Sequence, residues 1–351
     1  MKKITSLFAA LLVATSINAQ QATTANQIES SLNKKDNLTK NSIVKNIEFT
    51  NIGPTIMSGR VVDLDVNPNK PSEFYVGYAS GGVWHTTNNG TTFTPILDSS
   101  DTQNVGDIAV HWATRTIYVG TGENNASRSS YAGIGILKST DNGKTWTNVG
   151  LIDAHHFAPI LIHPDNPDVV TVGVTGHLYS ANNERGIYKT TNGGKTWKQT
   201  LFVDNISGII DLQHSPENYN IMFATSWTKD RKAWHFTGNG DNSAIYKSTD
   251  AGDTWTKIST KNSGFPTGNG VGRIGVAVFN DNVVYAIHDS QFRRPNDTKK
   301  DKNKDLTKDD FKTMSNADFL ALDDEKLSAF LKANRFQEKY SATRVKQMVR
   351  L

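Results

Sequence analysis

The chain has 351 residues, no cysteine, 27 glycines, 10 prolines and 7 tryptophans, with a formal charge of +4. That length is enough to bury a sizeable core, while the lack of cysteine excludes a disulfide scaffold, a zinc–thiolate centre, a cysteine nucleophile and a lipidated N-terminal cysteine. The charge is unevenly placed: residues 291–351 hold 15 Lys/Arg against 10 Asp/Glu, whereas residues 20–290 hold 21 against 24, so the body of the chain has no basic footprint for nucleic acid.

The chain opens MKKITSLFAALLVATSINAQ. Lys2 and Lys3, an apolar run from Leu7 to Ala14 and a small residue at Ala19 follow the order of a secretory leader. Residues 1–19 are therefore expected to direct export to the periplasm, cell surface or medium of a bacterium, with cleavage after Ser16 or Ala19. The run is too short to span a bilayer, and no later segment is long and apolar enough, so no integral membrane segment is expected. Residues 20–45 are polar and read as a flexible N-terminal segment.

From residue 46 the chain repeats. The octads TTNNGTTF (86–93), STDNGKTW (139–146), TTNGGKTW (190–197) and STDAGDTW (248–255) start 53, 51 and 58 residues apart. Each reads as a tight turn. Asn88, Asp141, Asn192 and Asp250 have side chains that bond their own backbone two residues on. Gly90, Gly143, Gly194 and Gly252 supply a position for positive φ, and Phe93, Trp146, Trp197 and Trp255 re-enter a strand as large packing residues. Each octad is preceded by three short strand-like runs, in the first unit GRVVDLDV, EFYVGYA and GGVWHTT, and is followed by a fourth. Four strands, A to D, recurring at about fifty residues predict an all-β fold, a β-propeller of four-stranded antiparallel blades. Strands A and B of a fifth blade follow (VGRIGVAVF and NVVYAIHDS), and the pattern stops near residue 290.

Residues 291–308 read as a charged linker. A helical insertion is expected over 309–351: Thr307/Asp310 and Ser315/Asp318 have capping-box spacing, Leu322, Leu327, Phe330 and Leu331 form one apolar face, and Ser341 is placed to cap a last helix. Strands C and D of the fifth blade do not arrive, and VKNIEFT at 44–50 supplies one closing strand rather than two. A propeller needs whole blades to protect its edges, so the remainder of the same chain is expected beyond Leu351.

The octads resemble Asp-box (BNR) repeats. Together with SGRVVDLDVNP, YASGGVWHTTNNG, GTGEN and GHLYSANNERGIYKTTNGGKTW they resemble secreted bacterial propellers of the sortilin N-terminal-like and glycosidase-like type. The resemblance implies that the octads are structural, at the C–D turns, on the face opposite the ligand. It also implies peptide or protein binding at the channel. Xyloglucanase-like members carry a catalytic Asp after strand B of an early blade; Ala79 and Ser80 of YASGG stand there instead. A sialidase-like arginine cluster with an Arg-Ile-Pro motif does not occur, and the cysteine-rich module of eukaryotic sortilins has no counterpart.

The loops opposite the octads differ from blade to blade, and such loop elaboration is where repeat proteins bind ligands. Candidate ligand-binding residues there are Arg60, Glu123, Arg128, His155, His156, His177, Arg185, Trp227, Arg231, Trp234 and Arg273. Glu184 is expected to pair with Arg185 as a structural loop contact rather than as part of a site. The Trp227/Trp234 pair with Arg231 offers aromatic faces suited to sugar rings or peptide side chains. Glu123 is the one acid on that face to test as a general acid or base, although a glycosidase needs two carboxyl groups. His155 and His156 are adjacent, so they point apart in a strand, and no second ligand pair has metal spacing; neither a metal nor a cofactor is expected. The reading is an exported propeller that binds a polysaccharide or a peptide or protein ligand. One alternative is a glycoside hydrolase whose acids lie partly in further blades; another is a structural component of an exported assembly.

Overall fold

The computed structural model describes residues 23–47, 59–232, 234–292, 305–312 and 314–350. The leader, most of the charged linker (293–304) and residues 48–50 of the proposed closing strand lie outside them. The chain divides into two compact units, residues 1–292 and 293–351.

The first unit is the β-propeller. Its first blade is β1 (Val61–Val66), β2 (Phe74–Tyr78), β3 (Gly82–Thr86) and β4 (Thr94–Pro95); the second is β5 (Val105–His111), β6 (Thr116–Gly122), β7 (Ala132–Ser139) and β8 (Thr147–Asn148). The third is β9 (Phe157–His163), β10 (Asn166–Val174), β11 (Gly186–Thr190) and β12 (Lys198–Leu201). In the fourth, β13 (Ser207–His214), β14 (Met222–Thr228), β17 (Ile245–Ser248) and β18 (Thr256–Lys257) form the sheet, while β15 (Asp230–Arg231) and β16 (Phe236–Thr237) make a separate hairpin inside the B–C loop. Each of the four sheets is an antiparallel meander in chain order, and β19 (Val271–Val278) with β20 (Val284–Ser290) forms the half-blade expected from the sequence. β6 and β14 are almost wholly buried because they pack on both faces; β6, TIYVGTG, is buried at every position, whereas β20 of the half-blade is mostly exposed.

All four octads lie between strands C and D. The turn chemistry differs from the expectation in its reach. The side-chain oxygen of residue three accepts from the N–H four residues on, not two: Thr92 N–H to Asn88 (3.0 Å), Thr145 to Asp141 (2.9 Å), Thr196 to Asn192 (3.0 Å) and Thr254 to Asp250 (2.9 Å). The first-position hydroxyl adds a second clamp, as where Ser139 Oγ accepts the Gly143 N–H and donates to Asp141 Oδ1. Gly90, Gly143, Gly194 and Gly252 take φ between 79° and 90°, a region in which a Cβ is strained. The tryptophans then fasten one blade to the one before: Trp146 Nε1 donates to the Ile96 carbonyl and Trp197 Nε1 to that of Val149, both at 2.8 Å. Phe93 meets Phe74 edge-on within its own blade.

The A strands pack side by side from blade to blade. Their bulges place Asp63, Asp107, Pro159, Asp211 and Arg273 around one cavity of about 400 Å³. Three of these residues bond the following blade, as Asp63 accepts the Ile108 N–H (3.2 Å), Asp107 that of Ile160 (2.8 Å) and Asp211 that of Val276 (2.8 Å). Asp65 likewise accepts the Val110 N–H and Trp112 Nε1. Burial pushes Asp65 up to about 6 and raises Asp107 well above the ordinary carboxylate range; burial disfavours the charged form.

The segment 20–45, expected to be flexible, carries an element that the sequence reading did not assign. Helix α1 (Ala25–Lys40) starts from a capping box between Thr24 and Gln27 and buries none of its residues. In the second unit, α2 (Asn316–Leu320), α3 (Asp324–Ala333) and α4 (Ala342–Arg350) surround Leu327, Leu331 and Ala342, with Leu322, Phe311, Phe319 and Val345 against them. Ser315 caps α2 and Ser341 bonds the Arg344 N–H at the start of α4, both as expected.

Candidate functional site

In such a meander the B–C and D–A loops share the face opposite the octads. The blade-two loop is organised around Glu123. Its side chain is fully buried, and Arg60, at the start of strand A of blade one, grips it with two nitrogens: Nε donates to Oε1 at 2.7 Å and Nη2 to Oε2. Asn125 Nδ2 donates to Oε1 (2.8 Å) and Ser130 Oγ to Oε2 (2.9 Å). Burial works to raise this carboxyl, but the bonds from Arg60, Asn125 and Ser130 outweigh it and hold it below the ordinary range. Glu123 thus stays ionised with both oxygens occupied. It has neither a proton to donate nor a free lone pair directed at a substrate. Arg273 Nη1 reaches Asn125 Oδ1 (2.7 Å) from blade five and ties that blade to the same loop.

The blade-three loop is organised around Arg185, which is only 1% exposed. Its guanidinium donates to four carbonyls: Thr175 (2.7 Å), Ile206 (3.2 Å), His177 (2.7 Å) and Ser180 (3.0 Å). Lys229 is buried beside it and donates to the His177 carbonyl at 3.1 Å. Burial first, then the Arg185 and Arg231 charges, depress this amine well below its ordinary value. His156 is buried and its Nδ1–H donates to the Glu123 carbonyl (2.7 Å). His155 turns the other way and stacks on His177, with centroids 3.7 Å apart.

In blade four, Trp227 is 5% exposed and packs with Ala126, Leu178 and Ile210, its Nε1 donating to the Gly238 carbonyl. Trp234, at the tip of the β15–β16 hairpin, is 83% exposed. Arg231 lies over the Phe236 ring, 4.2 Å from its centroid.

The model of the family described as "Sortilin-Vps10: Sortilin, neurotensin receptor 3" matches residues 135–346, more than half of the chain. The chain belongs to the Sortilin-Vps10 family. It is also similar to the xyloglucanase Xgh74A of Acetivibrio thermocellus, 26% identical over 228 residues that cover 56% of this chain and 25% of that protein. The chain thus spans about a quarter of the length of the curated relatives it matches. Among solved structures, an ancestral GH74 enzyme gives a TM-score of 0.46 at 18% identity, covering 62% of this chain and 27% of that one. The GH74 xyloglucanase of Xanthomonas campestris gives 0.43 at 14% identity, covering 62% and 32%.

On this Sortilin-Vps10 propeller the expected ligand-binding residues separate into two groups. Arg60, Arg128, Trp234 and Arg273 are exposed, and His155 and Arg231 half-buried. Glu123, His156, His177, Arg185 and Trp227 are buried. For Arg185 and Trp227 this is a correction: the first holds its own loop together and the second is core, so they make no open Trp227/Trp234 platform. The sequence reading also passed over two exposed aromatics of the same face, Tyr131 in the blade-two loop (57% exposed) and Tyr179 in the blade-three loop (48%). Each is the lone aromatic of a loop otherwise rich in Ser, Asn and Gly, and that was the available signal.

The buried imidazoles imply a pH dependence. Burial depresses His155 to about 4 and His156 to about 3, so the unfolded chain binds protons that the native loops refuse. The stability this contributes is complete above about pH 6.5 and is lost as pH falls through those values. Asp65 acts in the opposite sense, since its raised pKa favours the fold below its unfolded value. His156→Gln should therefore flatten the acid side of the stability profile by up to about 1.4 kcal/mol per pH unit between pH 6 and 4, measured as urea midpoints across that range.

Proposed function

We propose that this is an exported propeller that binds extracellular polysaccharide along its long-loop face without cleaving it. The observation that carries the reading is the state of that face: Tyr131, Tyr179 and Trp234 are exposed, one from each of three successive blades, while Glu123 is buried and fully paired. Exposed rings with polar neighbours stack on the apolar faces of sugars. A β-glucan of the xyloglucan type is the first ligand to try, because the curated relatives are xyloglucanases. The leader-like order of residues 1–19, two lysines, an apolar run and a small residue, supports export, and among the described residues no helix is long and apolar enough to cross a membrane.

The test is titration calorimetry against xyloglucan oligosaccharides, mixed-linkage glucan and control peptides, with an assay for new reducing ends run on the same samples. Tyr179→Ala and Trp234→Ala should each weaken glycan binding about tenfold, equivalent to the ~1.4 kcal/mol of one aromatic contact, with unfolding midpoints unchanged. Turnover that Glu123→Gln abolishes would establish the hydrolase instead.

A further inference from the structure

We propose that Asp153, His155 and His177 form a binding site for a divalent late transition metal ion of the zinc type. The residues come from two loops of the long-loop face. Residues 151–155 turn tightly through a short 3₁₀ segment at Ile152–Ala154, with Leu151 (φ 55°) in left-handed backbone and His155 (φ 60°) also at positive φ. His177 comes from the blade-three B–C loop, which Arg185 fastens from beneath.

One potential ligand atom from each of Asp153, His155 and His177 lies there, all within 4.8 Å of one another. Asp153 Oδ1 lies 3.4 Å from His177 Nε2 and 3.6 Å from His155 Nε2. These separations exceed the ~2.7–3.2 Å of a hydrogen bond. They match the edge of a tetrahedron around an ion with bonds of about 2.0–2.1 Å, which is about 3.3–3.4 Å. His155 Nε2 is buried and has no hydrogen-bond partner, a condition that native structures rarely leave unanswered. Among the described residues no donor comes within hydrogen-bonding geometry of the Asp153 carboxylate, which faces solvent with 30% of its side chain exposed.

The proton balance is simple. His177 Nε2 stands 2.9 Å from the Asp153 carbonyl and Nδ1 2.9 Å from Ser180 Oγ. With an ion bound, the single ring proton sits on Nδ1 and donates to Ser180 Oγ, the outer-shell bond that orients a ligating histidine. Nε2, which without the ion carries the proton and donates to the Asp153 carbonyl, gives up that bond and offers its lone pair to the metal. His155 swings out of its stack on His177, which is 18° from parallel, so that its lone pair converges on the same point. Two imidazoles and one carboxylate favour zinc-like ions over magnesium or calcium, and the solvent side of Asp153 leaves a fourth position for water. The site holds whether or not the face binds glycan.

The experiment uses the full chain stripped with a chelator, then titrated with Zn2+ against a chromogenic competitor and with Co2+ followed by visible absorption. One Zn2+ per chain is expected, with Co2+ giving the intense absorption of a four-coordinate site. Changes to outer-shell partners alone cost about 10–100-fold, so Asp153→Asn and His155→Ala should each weaken Zn2+ by at least that range's lower end, while His288→Ala leaves it unchanged. Asp153→Asn is near-isosteric and half-exposed, so its folding is checked by tryptophan fluorescence and its loss read as ligand loss. Zn2+ affinity unchanged in both ligand variants, or no stoichiometric binding by the wild type, would overturn the site.

Discussion

Arg185→Ala should destabilise the propeller by about 4 kcal/mol or more, the largest effect expected of any single side chain on the long-loop face. The guanidinium is buried and donates to the carbonyls of Thr175, His177, Ser180 and Ile206. Removing it strands the Thr175 and Ser180 carbonyls in a space that water enters poorly, leaves those of His177 and Ile206 with only their bonds from Lys229, and opens a cavity the size of an arginine. Arg185→Lys should not rescue, because one ammonium cannot replace a planar fork that serves four carbonyls. All seven tryptophans lie between Trp84 and Trp255, so their fluorescence reports urea unfolding of the propeller without the helical unit. Faster proteolysis within 175–185 should accompany the loss, since Lys229 alone, bonding the His177 carbonyl, would then anchor that loop from within. An unchanged midpoint with weakened ligand binding would instead place Arg185 against a ligand.

The second large effect belongs to the Arg60–Glu123 pair. Arg60→Ala should cost about 3 kcal/mol and Glu123→Ala about 2 kcal/mol, and the pair should couple by about 2 kcal/mol in a double-mutant cycle. The two losses differ in kind. Without Arg60, a buried carboxylate keeps only Asn125 and Ser130; without Glu123, Arg60 is left with nearly half of its side chain already in solvent. Arg60→Ala should therefore be the costlier change. It should also raise the Glu123 carboxyl towards the unfolded value, so that the stability its lowered pKa lends at neutral pH, which the wild type loses on acidification, shrinks. Equal, small costs with no coupling would mean that the contact is a surface ion pair.

The elements that were legible in the sequence depend on local chemistry. A hydroxyl, an Asx residue and a glycine at fixed offsets dictate a turn wherever they occur, so the four octads located every C–D turn and with them the blades. Ser315 and Ser341 were readable for the same reason. Helix α1 was not assigned because its polar sequence has no apolar face, although Thr24 and Gln27 carried the capping signal. Loop residues were the least legible. Arg185 and Trp227 look like surface groups in sequence, and their burial follows from loops folding back on neighbouring blades, which no local pattern encodes. The carboxylates at Asp63, Asp107 and Asp211 lie in plain view within their A strands, but their role depends on an N–H in the next blade. The adjacency of His155 to His156 hides its nearest groups in space, Asp153 two residues back and the His177 ring of a different loop.

The most direct test is calorimetric titration of the wild type, Tyr179→Ala and Trp234→Ala with xyloglucan oligosaccharides, with the reaction mixtures analysed for chain cleavage. Saturable binding that each substitution weakens about tenfold, with unfolding midpoints preserved and the oligosaccharide recovered intact, is the predicted result. Binding indifferent to both substitutions, or cleavage that disappears in Glu123→Gln, would contradict it.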